Sequence, residues 1–127
     1  MNVLLDTHVL LWFMDGDEKM PAAVKEVIHN TDNKVYVSIA SIWEIAIKYS
    51  IGKLKLKKGI ENFLTRIDEN GFILLEIDTK HIIAVTKLPF IHRDPFDRML
   101  VAQATVESLY VMTVDSNIIQ YNVDVVW

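Results

Sequence analysis

The sequence predicts an α/β protein whose mostly parallel sheet is covered by helices on both faces. Short, uniformly apolar runs such as residues 3–5 are typical of strands that are buried on both sides. Longer segments that carry helix-start and helix-stop signals lie between these runs. This alternation is typical of parallel sheets, because their strands are joined by helical crossovers.

Composition limits the classes of protein to which the chain can belong. Its 127 residues, 51% of them hydrophobic, predict a single domain spanning residues 1–127. The formal net charge of −4 argues against a broad basic face, so any contact with nucleic acid must be local. The absence of cysteine excludes disulfides and thiolate metal sites, and we expect a cytoplasmic protein. We expect no signal peptide and no membrane span, because no apolar run approaches the ~20 residues that a span needs.

The first half of the chain predicts two strands and three helices. The apolar run 3–5 ends at Asp6, Pro21 fits the first turn of a helix, and Gly52 is a helix-stop signal. Ser38 or Ser41 can cap the third helix. The predicted elements are a strand at 3–5, a helix at 9–14, a helix at 21–30, a strand at 35–37 and a helix ending near residue 50.

The second half begins with a basic linker at 53–58 and continues the alternation. Gly71 and Pro89 end two predicted helices. Asp94 followed by Pro95 is a cap with proline at the first helical position, and it predicts a long helix reaching about residue 108. The other predicted elements are helices at 60–69 and 79–87, strands at 72–77 and 110–114, a short helix after Asp115 and a last strand at 123–126.

Four acids far apart in the sequence are predicted to meet at one edge of the sheet. Asp6 and Asp115 end strands, while Glu44 and Asp97 lie in the first turns of helices that start at the same edge. Carboxylates grouped in a partly desolvated cleft repel one another and need protons or a cation. Hard oxygen ligands without histidine or cysteine favour Mg²⁺ or Mn²⁺.

Each acid also has a purely structural interpretation. Asp6 and Asp115 fit helix N-caps, Asp97 fits a residue that complements the helix dipole, and Asp94 is best explained as a cap because Pro95 follows it. Glu44 and Lys48 are spaced for an i,i+4 ion pair. The metal-site hypothesis depends on all four acids, Asp6, Glu44, Asp97 and Asp115, lying at one predicted edge.

Four segments of the sequence resemble PIN-domain proteins of the VapC toxin type. They read LDTHVLLW at 5–12, SIWEIAIK at 41–48, HRDPFDRMLVAQA at 92–104 and TVD at 113–115. The resemblance covers the whole chain and implies a three-layer α/β/α PIN fold with sheet order 3-2-1-4-5. It also implies an Mg²⁺-dependent endoribonuclease that is the toxin of a type II toxin–antitoxin system, with Mn²⁺ as an alternative metal.

The resemblance also implies the site residues and the partners. The catalytic and metal-binding acids would be Asp6, Glu44, Asp97 and Asp115, with Thr113 and Asp94 as possible outer partners. The expected partners are an RNA substrate, a homodimer and a cognate antitoxin that blocks the acidic crevice, for example with an arginine. Arginine fits because its planar guanidinium can bind carboxylates through two hydrogen bonds.

Basic and aromatic residues are candidates for contacts with RNA or for structural roles. Five lysines occur with no intervening acid and could hold phosphates or form a solvated linker: Lys48, Lys53, Lys55, Lys57 and Lys58. Arg93 and Arg98 flank the predicted site and could touch RNA or pair with Asp94 or Glu44. We interpret His92 as a loop-surface histidine, with a contact to phosphate as the alternative, and Trp12 and Trp43 as core or interface residues.

Other functions are compatible with parts of the pattern. A haloacid-dehalogenase-type phosphatase needs a second Asp two positions after its first-strand Asp, and His8 occupies that position. A receiver domain needs a lysine after its last strand, where this chain has Ser116 and Asn117. A non-catalytic PIN-fold binding protein and a DNA-directed nuclease remain the two alternatives.

Overall fold

The computed structural model describes residues 1–127 and contains five strands and seven helices. In chain order these are β1 (Asn2–Leu5), α1 (Thr7–Asp15), α2 (Ala22–His29), β2 (Lys34–Ser38), α3 (Ile39–Ser50), α4 (Gly59–Glu69), β3 (Ile73–Leu75), α5 (Thr79–Thr86), α6 (Pro95–Glu107), β4 (Tyr110–Met112), α7 (Ser116–Ile119) and β5 (Val125–Val126). The longest helix, α6, has 13 residues. No helix combines the length and the apolar character that crossing a membrane requires.

The five strands form one sheet in the order β3-β2-β1-β4-β5, and every neighbouring pair is parallel. β1 lies at the centre, with Leu4 opposite Tyr36 of β2 and Val111 of β4. The pairing of β1 with β4 continues beyond the strand, because the Asp6 N–H donates to the Met112 carbonyl at 3.1 Å. The α/β class and the strand order 3-2-1-4-5 are therefore confirmed.

Hydrophobic clusters cover the two faces of the sheet, and β1 contributes to both. Val3 and Leu5 belong to a cluster packed against the helices α1 to α4, whereas Leu4 belongs to a second cluster that includes residues of α6 and α7. All three side chains are fully buried. Burying each contributes about 1.5–3 kcal/mol, so the central strand is held firmly in place.

Several element boundaries differ from the predicted ones. α1 begins at Thr7, two residues earlier than predicted, because the extended Asp6 caps it directly and accepts a hydrogen bond from the His8 N–H. The strand predicted at 72–77 shrinks to Ile73–Leu75, which is the part that pairs with Tyr36–Ser38 of β2. The strand predicted at 110–114 ends at Met112, after which Thr113 and Asp115 turn into α7.

Candidate metal centre

The structure brings the four predicted acids to the carboxyl edge of the sheet. Asp6 follows β1 and caps α1, and Asp115 follows β4 and caps α7. Glu44 lies in the second turn of α3, and Asp97 lies in the first turn of α6. Asp6, Glu44 and Asp97 are buried, and Asp115 is half-buried. Burial of three carboxylates at one edge distinguishes this region from an ordinary acidic surface.

Asp6 is the most deeply buried acid, with 2% of its surface exposed. Its Oδ2 accepts a hydrogen bond from Thr113 Oγ1 at 2.7 Å, and its Oδ1 accepts one from the His8 N–H at 3.4 Å. Burial raises the pKa of Asp6, the hydrogen bonds from Thr113 and His8 oppose that rise, and the charge of Asp115 adds to it. The Asp115 N–H donates to Thr113 Oγ1 at 2.9 Å, so Thr113 links the two acids.

Asp97 lies close enough to three other acids to be repelled by their charges. Burial raises its pKa to about 6, a hydrogen bond with His92 opposes the rise, and repulsion from Asp94, Asp6 and Glu44 adds to it. His92 Nε2 lies 2.9 Å from Asp97 Oδ2. These repulsions, together with that between Asp6 and Asp115, show that the four acids form one electrostatically coupled group.

Glu44 forms the predicted ion pair with Lys48 and also lies among the acids at the carboxyl edge of the sheet. It is 6% exposed, and its Oε2 pairs with Lys48 Nζ at 2.9 Å, one helical turn later on α3. Lys48 keeps 44% of its side chain exposed, so the pair lies at the rim of the crevice. Lys48 is the only lysine or arginine within ion-pair distance of the four acids, which leaves the group with a surplus of negative charge.

Asp94 is the cap that the sequence predicts. Its Oδ1 accepts hydrogen bonds from the N–H groups of Phe96 at 2.8 Å and Asp97 at 3.2 Å. Its charge still acts on the site, because it raises the pKa of Asp97. His92, Asp94 and Asp97 each offer a ligand atom, and these atoms lie within 4.8 Å of one another. Asp94 therefore shapes the start of α6 and also adds to the negative potential there.

The structure corrects the prediction that Arg98 contacts RNA or pairs with an acid. Arg98 is buried, and its guanidinium donates to the carbonyls of Pro89 and Val85 and to the Tyr121 hydroxyl. These bonds tie the segment before α6 to the rest of the fold, so the side chain is structural. Arg93 and Lys53, by contrast, are exposed and form no ion pair, and they stay candidates for RNA contact.

The contact made by His92 was not predicted from the sequence, whereas the position of Trp43 leaves the interface half of its core-or-interface prediction open. His92 is not a free surface histidine, because only 20% of its side chain is exposed and it binds Asp97. The available signal was its position two residues before the cap Asp94. Trp43 is outside the core of this chain: it is 61% exposed and contacts Phe96 edge to face, with 5.4 Å between ring centroids.

The model of the family described as PIN domain matches residues 3–124. No match to the chain is found among curated protein sequences.

Solved structures similar to this one include three protein complexes. VapBC2 from Rickettsia felis, bound to a promoter DNA fragment, has a TM-score of 0.75 at 15% identity, covering 100% of this chain and 99% of the other. DNA-bound VapBC from Salmonella typhimurium has a TM-score of 0.71 at 18% identity, with coverage of 99% and 97%. FitAcB from Neisseria gonorrhoeae has a TM-score of 0.64 at 19% identity, with coverage of 97% and 95%. At these identities the likeness shows a shared fold.

Proposed function

We propose, because the chain belongs to the PIN-domain family, that it is a metal-dependent endoribonuclease and the toxin of a toxin–antitoxin pair. The catalytic and metal-binding residues would be Asp6, Glu44, Asp97 and Asp115. The observation that carries the proposal is the convergence of three buried carboxylates with a fourth beside them, where burial and repulsion from neighbouring acids raise the pKa of Asp6 and of Asp97. Buried carboxylates that repel one another lower the stability of the fold, and such groups are typical of functional sites.

The donor set fits a hard divalent cation. Carboxylate oxygens are the ligands that Mg²⁺ and Mn²⁺ prefer, and the surplus of negative charge at the site would be neutralised by either ion. When bound, such an ion supplies charge neutralisation on the phosphate oxygens and acidifies a water molecule. We propose Mg²⁺ as the resident ion, with Mn²⁺ as the alternative.

The chain's own residues hold the acids in position. Thr113 orients Asp6 by donating to Oδ2, and His92 orients Asp97 through Oδ2. Asp97 keeps its other oxygen for a ligand or a water, and Asp6 Oδ1 accepts only the long bond from the His8 N–H, at 3.4 Å. Lys48 holds Glu44 at the rim of the crevice. Glu44 is therefore suited to positioning the attacking water, while Asp6, Asp97 and Asp115 bind the metal.

Cleavage assays on matched substrates test the proposal. The purified protein should cleave single-stranded RNA with Mg²⁺ or Mn²⁺ and should not do so in chelator. Asp6→Asn should abolish cleavage, because the amide weakens the metal site while nearly keeping its shape. Asp68→Asn, on the exposed side of α4, removes the same charge elsewhere and should leave cleavage unchanged.

The same assay separates the alternatives. Cleavage of DNA of the same sequence in preference to RNA would replace the RNA substrate with DNA. Binding of RNA without cleavage under any metal would favour the non-catalytic binding protein. Wild-type rates in folded Asp6→Asn at saturating Mg²⁺ would remove Asp6 from the site.

The proposal includes a cognate antitoxin that blocks the crevice. The solved structures similar to this chain include VapBC complexes, two of which are bound to DNA. The surplus of negative charge around Asp6 and Asp97 suits an inserted arginine, whose guanidinium pairs with carboxylates and stays charged. The product of an adjacent gene, co-purified with the chain, should inhibit cleavage. Unchanged cleavage in that complex would exclude it as the inhibitor.

We also propose a homodimer, because α3 and the residue that caps its C-terminus carry an apolar stripe that this chain does not cover. Trp43, Ile47 and Ile51 are spaced four residues apart and are 61%, 37% and 59% exposed. A second copy would remove this surface from water. Sedimentation should show a dimer that Ile51→Lys converts to a monomer without loss of folding, and a wild-type monomer at high concentration would contradict it.

The cytoplasm, where RNA substrates are available, is the proposed compartment.

A further inference from the structure

A basic segment between α3 and α4 is held firmly against the core. Residues 53–58 alternate lysine and leucine before ending in two lysines. Leu54 and Leu56 are partly buried and pack against the larger hydrophobic cluster, while the lysines around them are exposed. The N–H groups of Lys53 and Leu54 both donate to the Lys48 carbonyl, at 2.8 and 3.2 Å. The segment is therefore anchored at its start and along its length, unlike a free solvated linker.

The basic segment forms one wall of a cavity of about 680 Å³. The opposite walls are one side of α4 along its whole length, from Gly59 to Glu69, and the C-terminal end of α1, at Met14 and Asp15. The cationic side chains that line the cavity are Lys55, Lys57, Lys58 and Arg66, against the two acids Asp15 and Glu69. The three lysines form no ion pair with any acid, so their charges are available to a ligand.

The cavity is separate from the metal centre. Asp6 caps the N-terminus of α1, whereas the cavity is built against the C-terminal end of the same helix. α1 has nine residues, and at 1.5 Å per residue it is about 13 Å long. A phosphate held by Lys55, Lys57 and Lys58 would thus be a different phosphate from the one at the acids.

A polyanionic substrate such as RNA can bind this protein only where positive charge is concentrated. The chain has a net charge of −4, and the acids at the metal centre repel phosphates. Affinity for a nucleic-acid backbone must therefore come from a local concentration of cations. The run Lys48 to Lys58 holds five of the 13 basic residues with no acid among them, and the cavity concentrates three of these lysines beside Arg66.

We propose that this cavity is a backbone-phosphate subsite that binds the RNA strand some nucleotides away from the cleaved bond. The inference rests on the proposed ribonuclease function and deepens it, because it makes substrate binding depend on strand length. Lys55, Lys57 and Lys58 contact phosphates, and no base is read there. The subsite supplies affinity, while the acids supply the chemistry.

Binding and cleavage measured separately test the subsite. The variant Lys55→Ala/Lys57→Ala/Lys58→Ala is compared with Lys25→Ala/Lys34→Ala/Lys87→Ala, which removes the same charge from other parts of the surface. Binding of fluorescently labelled 20-nucleotide and 4-nucleotide RNAs is followed by anisotropy in chelator, so that no cleavage is needed. Cleavage of the same RNAs is followed with Mg²⁺.

The cavity variant should bind the long RNA at least about 10-fold more weakly than the control variant does. Its slope of log affinity against log salt should be smaller by about 2, because each contact on a single strand releases about 0.7 of a counterion. KM for the long RNA should rise with kcat unchanged, and cleavage of the short RNA should not change. Equal affinity and equal salt slope in the two variants would overturn the subsite.

Two further outcomes separate this inference from the proposed function. If the wild type binds RNA through these lysines but never cleaves it, the nuclease proposal fails and the subsite stands. If the wild type cleaves RNA but the cavity variant behaves as the control does, the subsite fails and the nuclease stands. Lysine-dependent binding of an acidic peptide in preference to RNA would also overturn the subsite, because the cavity would then take a protein partner.

Discussion

Two groups in this molecule each contain one histidine and two carboxylates, but only one of them has its charges balanced or solvated. The Asp97 group consists of His92, Asp94 and Asp97, and the His81 group consists of Asp78, His81 and Glu107. In both groups an aspartate caps a helix. In both, the ligand atoms lie within 4.8 Å of one another.

The His81 group is satisfied by its own hydrogen bonds. His81 is 1% exposed, its Nδ1 accepts the Asp78 N–H at 3.1 Å, and its Nε2 lies 3.3 Å from Glu107 Oε1. Both ring nitrogens are thus used, in the tautomer that carries its proton on Nε2. Asp78 and Glu107 are more exposed, so water solvates their charges. This group closes the start of α5 against the end of α6.

The Asp97 group differs because it carries more negative charge than its positively charged neighbours can balance. Asp97 is 9% exposed and is repelled by Asp94, Asp6 and Glu44. The comparison teaches that residue composition alone does not distinguish the two groups. What distinguishes the Asp97 group is buried negative charge in excess of its counter-charge, which is the feature on which the proposed metal site depends.

The largest expected difference between the groups is in RNA cleavage. Asp97→Asn should lower the cleavage rate at saturating Mg²⁺ by at least about 100-fold, because a metal site contributes several kcal/mol and each 1.36 kcal/mol is tenfold. Glu107→Gln makes the same chemical change in the His81 group and should leave the rate unchanged. Gel-based rates for the two folded variants check this. Equal losses in both would end the functional distinction between the groups.

The fold was more predictable from the sequence than the site's internal contacts. Strand order and helix caps depend on local signals, such as Asp94 before Pro95, and on rules for parallel crossovers. The approach of His92 to Asp97 depends on the turn before α6, which is fixed by the buried Arg98 and its bonds to distant carbonyls. No periodicity in the sequence reports such a contact. The sequence analysis therefore placed the acids and misjudged His92 and Arg98.

For the free energy of unfolding, the larger effect is expected in the His81 group. His81→Ala should lower the free energy of unfolding by about 2–4 kcal/mol. The substitution opens a cavity and leaves the partly buried Asp78 N–H without its acceptor, His81 Nδ1. His92→Ala should lower the free energy of unfolding by less than about 1 kcal/mol. The His92 side chain is partly exposed, and its partner Asp97 is already destabilised by repulsion from nearby acids. Urea unfolding in chelator measures both values. A larger cost for His92→Ala would contradict the comparison.

The pH dependence of stability should reveal the charge of Asp97. Burial, with repulsion from nearby acids, raises its pKa from 3.8 to about 6 in the folded protein, so the folded state binds more protons than the unfolded state between these values. Stability therefore falls as pH rises through this window. Relative to Asp97→Asn, the metal-free wild type should lose about 2 kcal/mol between pH 4 and pH 7. Urea unfolding of both proteins across this range checks it, and a constant difference would refute the raised pKa.

Thermal unfolding at pH 7.5 tests the central claim, that the four acids form a crowded site relieved by a divalent cation. The wild type, Asp97→Asn and the matched Glu107→Gln are each heated in chelator and in excess Mg²⁺. In chelator, Asp97→Asn should melt above the wild type by about 5 °C, because it removes a repelling carboxylate.

With Mg²⁺, the wild type and Glu107→Gln should gain stability through preferential binding to the folded state, and Asp97→Asn should gain clearly less. If Asp97→Asn is no more stable than the wild type in chelator and all three proteins gain equally from Mg²⁺, the crowded metal site is wrong. Asp97 would then be a residue that only complements the dipole of α6.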